Sequence, residues 1–288
     1  MKGKLTLVML GILILFASTA GAVGRPAINF GTYIAPEQVS KTVATLVPLV
    51  DSRVEYLEVW LESNLATTDK RLTLEGQRLK LELPGGVYLV DLDQVTIPTD
   101  QQLLTDDNTT ALPMLINYTV FPNDLPGIYR GVLVVREMGP EGLIQENRTP
   151  LQLEVDYWVN IKTNMENILL GGFSSKNGIL VSNPGEVWVA SNVPWKLTVK
   201  LFEADELSKG NLELIILSSE DSEFIKTNQE AVKLGQAPKT LAEGNSTVGP
   251  SGKYWVPVSF MLQLTDYHQV SAGIIPFSMG FSVEPNLD

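Results

Sequence analysis

Residues 191–201 read SNVPWKLTVKL. After Pro194 the run alternates without a fault, with Trp195, Leu197, Val199 and Leu201 on one side and Lys196, Thr198 and Lys200 on the other. Successive side chains of a strand point to opposite faces, so this pattern predicts a strand with one buried and one wet side. Pro194 stands at the strand's mouth, where no ladder donor is needed. Trp195 heads the apolar file and is read as a core residue packed against an opposite sheet, because a sugar-stacking Trp belongs outside that file, on a loop.

The same period of two runs through most of the chain beyond residue 27. Candidate strands are AINFGTY (27–33), KTVATLVPLV (41–50), RLTLEG (71–76), RLKLEL (78–83), VYLVDL (87–92), MLINYTVF (114–121), YRGVLVVRE (129–137) and LQLEVDYWVNI (151–161). Then follow ILVS (179–182), EVWVAS (186–191), NLELIIL (211–217), YWVPVSFMLQLT (254–265) and IPFSMGFSVEP (275–285). Turn formers separate them: Pro84-Gly85-Gly86, Asp124-Leu125-Pro126-Gly127, Gly139-Pro140-Glu141-Gly142 and Asn183-Pro184-Gly185. Short alternating strands with such turns between them predict an all-β sandwich class. DSRVEYLEVWLES (51–63) is ambiguous, since Ser52 and Glu55 have capping-box spacing. The β-branched and aromatic Val54, Tyr56, Val59 and Trp60 decide it for strand.

The first segment lies outside this pattern. Residues 1–22 carry Lys2 and Lys4, an apolar stretch from Leu5 to Phe16, and small residues at Ala20 and Ala22. Those are the parts of a secretory signal peptide, expected to be cleaved after Ala22. The apolar stretch is shorter than the ~20 residues a lasting membrane helix needs, so an uncleaved anchor is the less favoured alternative. The chain has no Cys, hence neither disulfides nor a thioether lipid anchor. That suits bacterial export better than eukaryotic secretion. No hydrophobic tail or sorting motif closes FSVEPNLD (281–288), so any attachment is expected to be non-covalent.

Without the leader the chain holds 19 basic and 33 acidic residues, a net charge of −14. Such a chain repels phosphate backbones and anionic headgroups, which argues against nucleic-acid partners and leaves no membrane span in the mature chain. Its length suits two domains, expected at 23–160 and 161–288. An internal repeat supports the division: INYTVFPNDLPGIYRGVLVV (116–135) and LQLTDYHQVSAGIIPFSMGFSV (262–283) each give a strand, a polar turn, a small-Gly-Ile step and a strand with an inner glycine. The boundary is expected near 158–170, with Asn164 to Gly172 a linker or a first strand of the second unit.

SN-x-PW-x-L-x-V (191–199), the AG-x-hydrophobic closing strand (272–283) and the opening AINFGTY together resemble immunoglobulin-like β-sandwich modules of secreted bacterial surface and fimbrial-type proteins. The resemblance implies an extracytoplasmic, non-enzymatic module and brings no site residues with it.

No residue set points to a reaction. His268 is the one histidine, which excludes any multi-His metal site, and it falls in an expected hairpin turn with no nucleophile motif beside it. No G-x-S-x-G elbow occurs, and GPSGKYW (249–255) fails as a phosphate loop: Thr247 replaces the first Gly, and Tyr254 the required Ser or Thr. A glycosidase pair needs two carboxyl groups across a cleft, whereas Glu55, Glu58 and Glu62 lie at outward or terminal strand positions. Asp100, Asp106, Asp107 and Asn108 place oxygen ligands in the 99–110 loop, open to Ca²⁺ but without EF-hand spacing. The sequons at Asn108, Asn117, Asn147 and Asn245 are read as chance occurrences. Catalytic, cofactor and metal residues are therefore assigned to none.

The expected function is a structural or interaction protein of the bacterial cell envelope, partnered by other surface proteins or by itself through strand addition. Residues 23–40 could donate such a strand, though AINFGTY pairing within its own domain is the preferred expectation. Alternatives are a periplasmic chaperone-like module, which would need a basic cleft that is missing here, or a carbohydrate-binding module. The latter would show an exposed aromatic pair from among Trp60, Trp158, Trp188 and Trp255.

Overall fold

The computed structural model describes residues 27–49, 53–75, 77–83, 85–99, 104–106, 109–163, 179–203, 211–217, 225–227, 231–248, 254–269 and 277–287. The leader, residues 100–103 and 107–108 of the 99–110 loop, the 164–172 stretch, residues 249–253 and the Ala272-Gly273-Ile274 step lie outside the described residues.

Two β-sandwiches follow one another. The first is built from β1 (Ile28–Tyr33), β2 (Val39–Leu49), β3 (Tyr56–Leu61), β4 (Leu65–Thr67), β5 (Thr73–Leu74), β6 (Leu79–Leu83), β7 (Gly86–Val90), β8 (Val95–Pro98), β9 (Leu104–Asp106), β10 (Thr109–Val120), β11 (Gly127–Gly139) and β12 (Gly142–Val155). One of its sheets runs β1-β12-β11-β3-β8, with β4 and β5 attached beside β11, and the other runs β2-β10-β6-β7, with β9 on β10. The second comprises β13 (Val159–Thr163), β14 (Ile179–Val181), β15 (Gly185–Ser191), β16 (Trp195–Glu203), β17 (Asn211–Ile216), β18 (Ile225–Thr227), β19 (Val232–Lys233), β20 (Lys239–Gly244), β21 (Val256–Thr265) and β22 (Ser278–Pro285). Its sheets run β13-β15-β21-β17-β19 and β18-β20-β16-β22. No described helix is long and apolar enough to cross a membrane; the helical element is a 3-10 turn at Tyr267–Gln269.

Each sandwich has its own core. Phe30 through Val155 supply one, including Leu57, Leu81, Tyr118 and Leu153; Val187 through Leu264 supply the other, including Trp195, Leu197, Leu214 and Phe260. The ambiguous stretch is strand where it is described: β3 alternates half-buried and buried from Tyr56 to Leu61, and a helix would have kept Leu57 and Leu61 on one face and turned Val59 to the other. The opening AINFGTY pairs within its own sandwich. β1 lies parallel to β12, matching Ile28 to Leu151 and Tyr33 to Val155, and Phe30 and Tyr33 are buried. Donation of this strand to a neighbour is thereby replaced by internal pairing, because withdrawing it would expose both aromatic rings.

Trp195 is fully buried, as its place in the alternating file requires. Its Nε1 has no hydrogen-bond acceptor. Burying ~150–250 Å² of ring at ~25 cal/mol per Å² yields about 4–6 kcal/mol. That exceeds the ~1–3 kcal/mol lost with an unsatisfied donor. Packing wins.

Candidate functional site

The strand orders of the two sandwiches share a common centre. In the first, β2-β10-β6 run side by side with β2 at the sheet edge, and β11 lies beside β3 in the other sheet; in the second, β15-β21-β17 and β22 beside β16 repeat the scheme, with β13 added outside β15. The sequence repeat lands on these strands, since 116–135 covers the end of β10 and most of β11 while 262–283 covers the end of β21 and most of β22. Beyond β11 the first sandwich continues into β12, and then β1 pairs with β12 on its far side. Beyond β22 no described strand follows.

The consequence is legible residue by residue. β12 turns Leu151, Leu153 and Val155 into the first core, all essentially buried. β22 turns Met279, Phe281 and Val283 toward the second core, but these remain only partly buried, as do Val159 and Ile161 on β13. Among the described strands β13 and β22 are facing edges of opposite sheets and touch each other, so the two half-covered rows border one seam. The seam has a firm back wall. β16 pairs with β22 from Trp195–Pro285 to Glu203–Ser278, Asn286 N donates to Pro194 O at 2.8 Å, and the Phe281 ring lies 5.4 Å from that of Phe260. Backbone on the side of β22 that no described strand pairs, with half-covered apolar side chains beside it, can accept an added strand.

The SNVPWKLTVKL stretch has a second task that its pattern did not reveal. Ser191 and Asn192 lie in a buried junction between the sandwiches. Asn192 Oδ1 accepts from Trp158 N at 2.8 Å, while its Nδ2 donates to Asp156 O at 3.2 Å and to Asp124 O at 3.4 Å. Ser191 Oγ donates toward Trp158 O and Val193 O, and Ser191 N donates to Thr247 Oγ1 at 2.9 Å. Asp124 is itself fixed: Arg78 Nη1 donates to its Oδ2 at 2.5 Å, and Phe121 N donates to the same oxygen at 2.8 Å. A buried polar set this fully satisfied holds its partners in one geometry. Neither Arg78, Asp124 nor Asn192 stood out in the sequence, because their partners lie far off in the chain.

Beside the junction stands an aromatic row. Trp158 stacks on Tyr254 at 5.5 Å, and Tyr254 meets Trp255 edge-on at 5.7 Å. Burial pushes the Tyr254 hydroxyl pKa up, and the charge of Glu37 adds to it. On the outer face of the same sheet Lys162 Nζ sits 4.3 Å from the Trp255 ring centre and 5.2 Å from that of Trp188. Of the tryptophans named from sequence, Trp188 and Trp255 are thus brought to one face, while Trp60 lies in the other sandwich under Arg136, at 4.7 Å. Trp158 is buried.

The residues weighed for chemistry do not converge. His268 is exposed in the 3-10 turn, and Glu62 pairs with Arg148 at 2.5 Å on the outer face of the first sandwich. Among the described residues no group of His, Cys, Asp and Glu could hold a metal ion. Asn147, one of the sequon residues, is buried and donates to Glu137 Oε1 at 3.0 Å.

No family model and no curated protein matches the chain. Among solved structures it is similar to the chaperone–tip adhesion subunit pre-assembly complex of archaic chaperone-usher Csu pili from Acinetobacter baumannii, at TM-score 0.42 and 13% identity over 90% of this chain and 99% of that one. It is also similar to CfaE, the adhesive subunit of CFA/I fimbria of enterotoxigenic Escherichia coli (TM-score 0.35, 10% identity, 90% of this chain and 92% of that one). A third is the CupB6 tip adhesin from Pseudomonas aeruginosa (TM-score 0.33, 11% identity, 86% of each chain). These neighbours are of the fimbrial type that the sequence resemblance named. At such scores they carry no statement about what this chain does.

Proposed function

We propose that the chain is a non-enzymatic, exported protein of the bacterial cell envelope, made of two immunoglobulin-like domains at 23–160 and 161–288, and that it works as a subunit of a fimbrial-type surface assembly. The second sandwich takes the receiving role, completed along β22 by an extended segment from a partner. The observation that supports this reading is the seam: among the described strands β22 pairs with β16 alone, and Met279, Phe281 and Val283 stay half-covered where the first sandwich has β12. Main-chain hydrogen bonds to β22 would supply affinity and the seam would select alternate apolar side chains.

The test uses the molecule's own solution. A strand with the alternation of β12 is joined behind residue 288 through a short turn, and hydrogen exchange is read on β22 in both proteins. Slowed exchange on β22 and a raised unfolding temperature are expected on fusion. Protection of β22 in the unfused chain equal to that of β11 would overturn the reading.

A carbohydrate-binding role is the second reading, favoured by Trp188 and Trp255 on one sheet face with the exposed Lys162 between them. Quenching or shift of Trp fluorescence on a glycan titration, lost in Trp188→Ala, would support it, and a blank glycan array would remove it.

A further inference from the structure

Sheet edges invite unwanted pairing, and proteins blunt them with charges, prolines or bulges. Apart from β22, whose edge the proposed function gives to a partner strand, the described edge strands of four or more residues follow that rule with one exception. β2 carries Lys41, β8 ends in Pro98, β13 carries Lys162, and β1 breaks its register at Gly31, whose φ is +73°. β7, Gly86-Val87-Tyr88-Leu89-Val90, has no charge, no proline and no register shift against β6. Its outward side chains are the apolar ones: Val87 is 63% exposed and Leu89 45%.

The surroundings give that edge a symmetric pattern. On the outer face Val87 lies beside Glu82 and Leu89 beside Lys80 on β6, and beyond them β10 presents Leu115, 42% exposed, next to Glu82 and Asn117 next to Lys80. An antiparallel pairing of β7 with itself, centred on Tyr88, sets Val87 opposite Leu89 of a second copy. Each cross-strand row then reads Leu115, Glu82, Val87, followed by Leu89, Lys80 and Asn117 of the second copy. Apolar side chains meet at the centre, and each row has a carboxylate on one flank and an ammonium on the other, so no like charges face each other. The arrangement is isologous and closes on itself.

We propose that two copies of this chain associate through β7, joining the β2-β10-β6-β7 sheets into one continuous sheet across a two-fold axis. The proposal concerns the first sandwich and is independent of strand acceptance at β22. With a net charge of −12 on the full sequence, the two copies repel at long range, so added salt strengthens the pairing.

Sedimentation or light scattering across concentration, at low and at high salt, is expected to give a dimer whose share rises with both. Val87→Glu would put a carboxylate against Leu89 of the second copy and raise the dissociation constant at least about tenfold. Since Val87 is exposed, the circular dichroism of that variant should stay unchanged, and the unfolding midpoint should fall only slightly, through the new like-charge contact with Glu82. The chain lacks cysteine, so mixing Val87→Cys protein with Leu89→Cys protein should yield a disulfide-linked heterodimer under mild oxidation, faster than either alone. A monomer at every concentration, or a dimer indifferent to Val87→Glu but abolished by Phe281→Asp on β22, would overturn the proposal. So would cross-linking as fast in the single-variant samples as in the mixture.

Discussion

Among the described strands, the first sandwich has a strand beyond its returning strand β11 and the second has none beyond β22, although the two share a central scheme. β10 to β11 and β21 to β22 are the same step, strand, turn and returning strand, and each returning strand sits beside its sandwich's β3 or β16. The border of the returning strand is where they part. β12 hydrogen-bonds β11 along almost its whole length and receives β1 in parallel, whereas β22 is an edge among the described strands. The lesson concerns cores more than ladders. The second sandwich, with no described strand beyond β22, keeps its central packing, with Trp195, Leu214 and Phe260 fully buried, while Met279, Phe281 and Val283 along that border are partly covered.

The comparison can be broken most directly by truncating matched apolar side chains. Leu153→Ala, in a fully covered site, is expected to cost about 2–5 kcal/mol by denaturant unfolding. Phe281→Ala, the larger deletion, should cost the free chain less than that despite the bigger ring, because Phe281 is partly in water already. Equal costs would mean the seam is as closed as the β12 border.

Asn192→Ala tests whether the two bodies act as one. Loss of its buried bonds to Trp158, Asp156 and Asp124 is expected to cost ~1–3 kcal/mol. Calorimetry should then resolve two unfolding transitions further apart than in the parent chain. An unaltered thermogram would deny the junction its coupling role.

The inner glycines of the repeat sharpen the contrast at a smaller scale. A Cβ at Gly131 would come within 2.8 Å of Leu65, which is fully buried, so Gly131→Ala should cost about 1–3 kcal/mol through overpacking. At Gly280 the Cβ would meet the ring of Phe202, which is 52% exposed and can swing away; Gly280→Ala should stay within about 1 kcal/mol. Reversed sizes would show that Phe202 is pinned.

Alkaline pH should separate the sandwiches last. Burial raises the hydroxyl pKa values of Tyr33, Tyr118 and Tyr129, the last to about 12, and all three lie in the first sandwich. The folded state then holds protons that the unfolded chain releases, so stability is complete below the ordinary tyrosine value near 10 and declines as pH rises above it. The absorbance change of phenolate formation should accompany unfolding of the first sandwich, with the second unfolding at higher pH; simultaneous loss would contradict this.

Much of the architecture was legible because a strand writes its burial into every second residue. Trp195, Leu197 and Val199 in one file needed no partner to be recognised as inward-facing, and Val54, Tyr56, Val59 and Trp60 sufficed to read 51–63 as strand. The repeat found two strands of each sandwich for the same reason, and its glycines marked both returning strands, though Gly131 points into the core at Leu65 and Gly280 out beneath Phe202. The candidate site was not legible. An edge is defined by what is missing beside a strand, and β22 reads in sequence like any half-buried strand. The Asn192 junction was hidden too, since its acceptors are backbone carbonyls, which no side-chain pattern reports.

The sequence by itself determined the period of two and the inward files, because these depend on side-chain chemistry at short separations. Only the tertiary structure decided which strand lies next to which, and hence that β12 is covered while β22 and β7 are edges among the described strands. Strand order is set by contacts between residues as distant in the chain as Ile28 and Leu151, and local alternation carries no record of it.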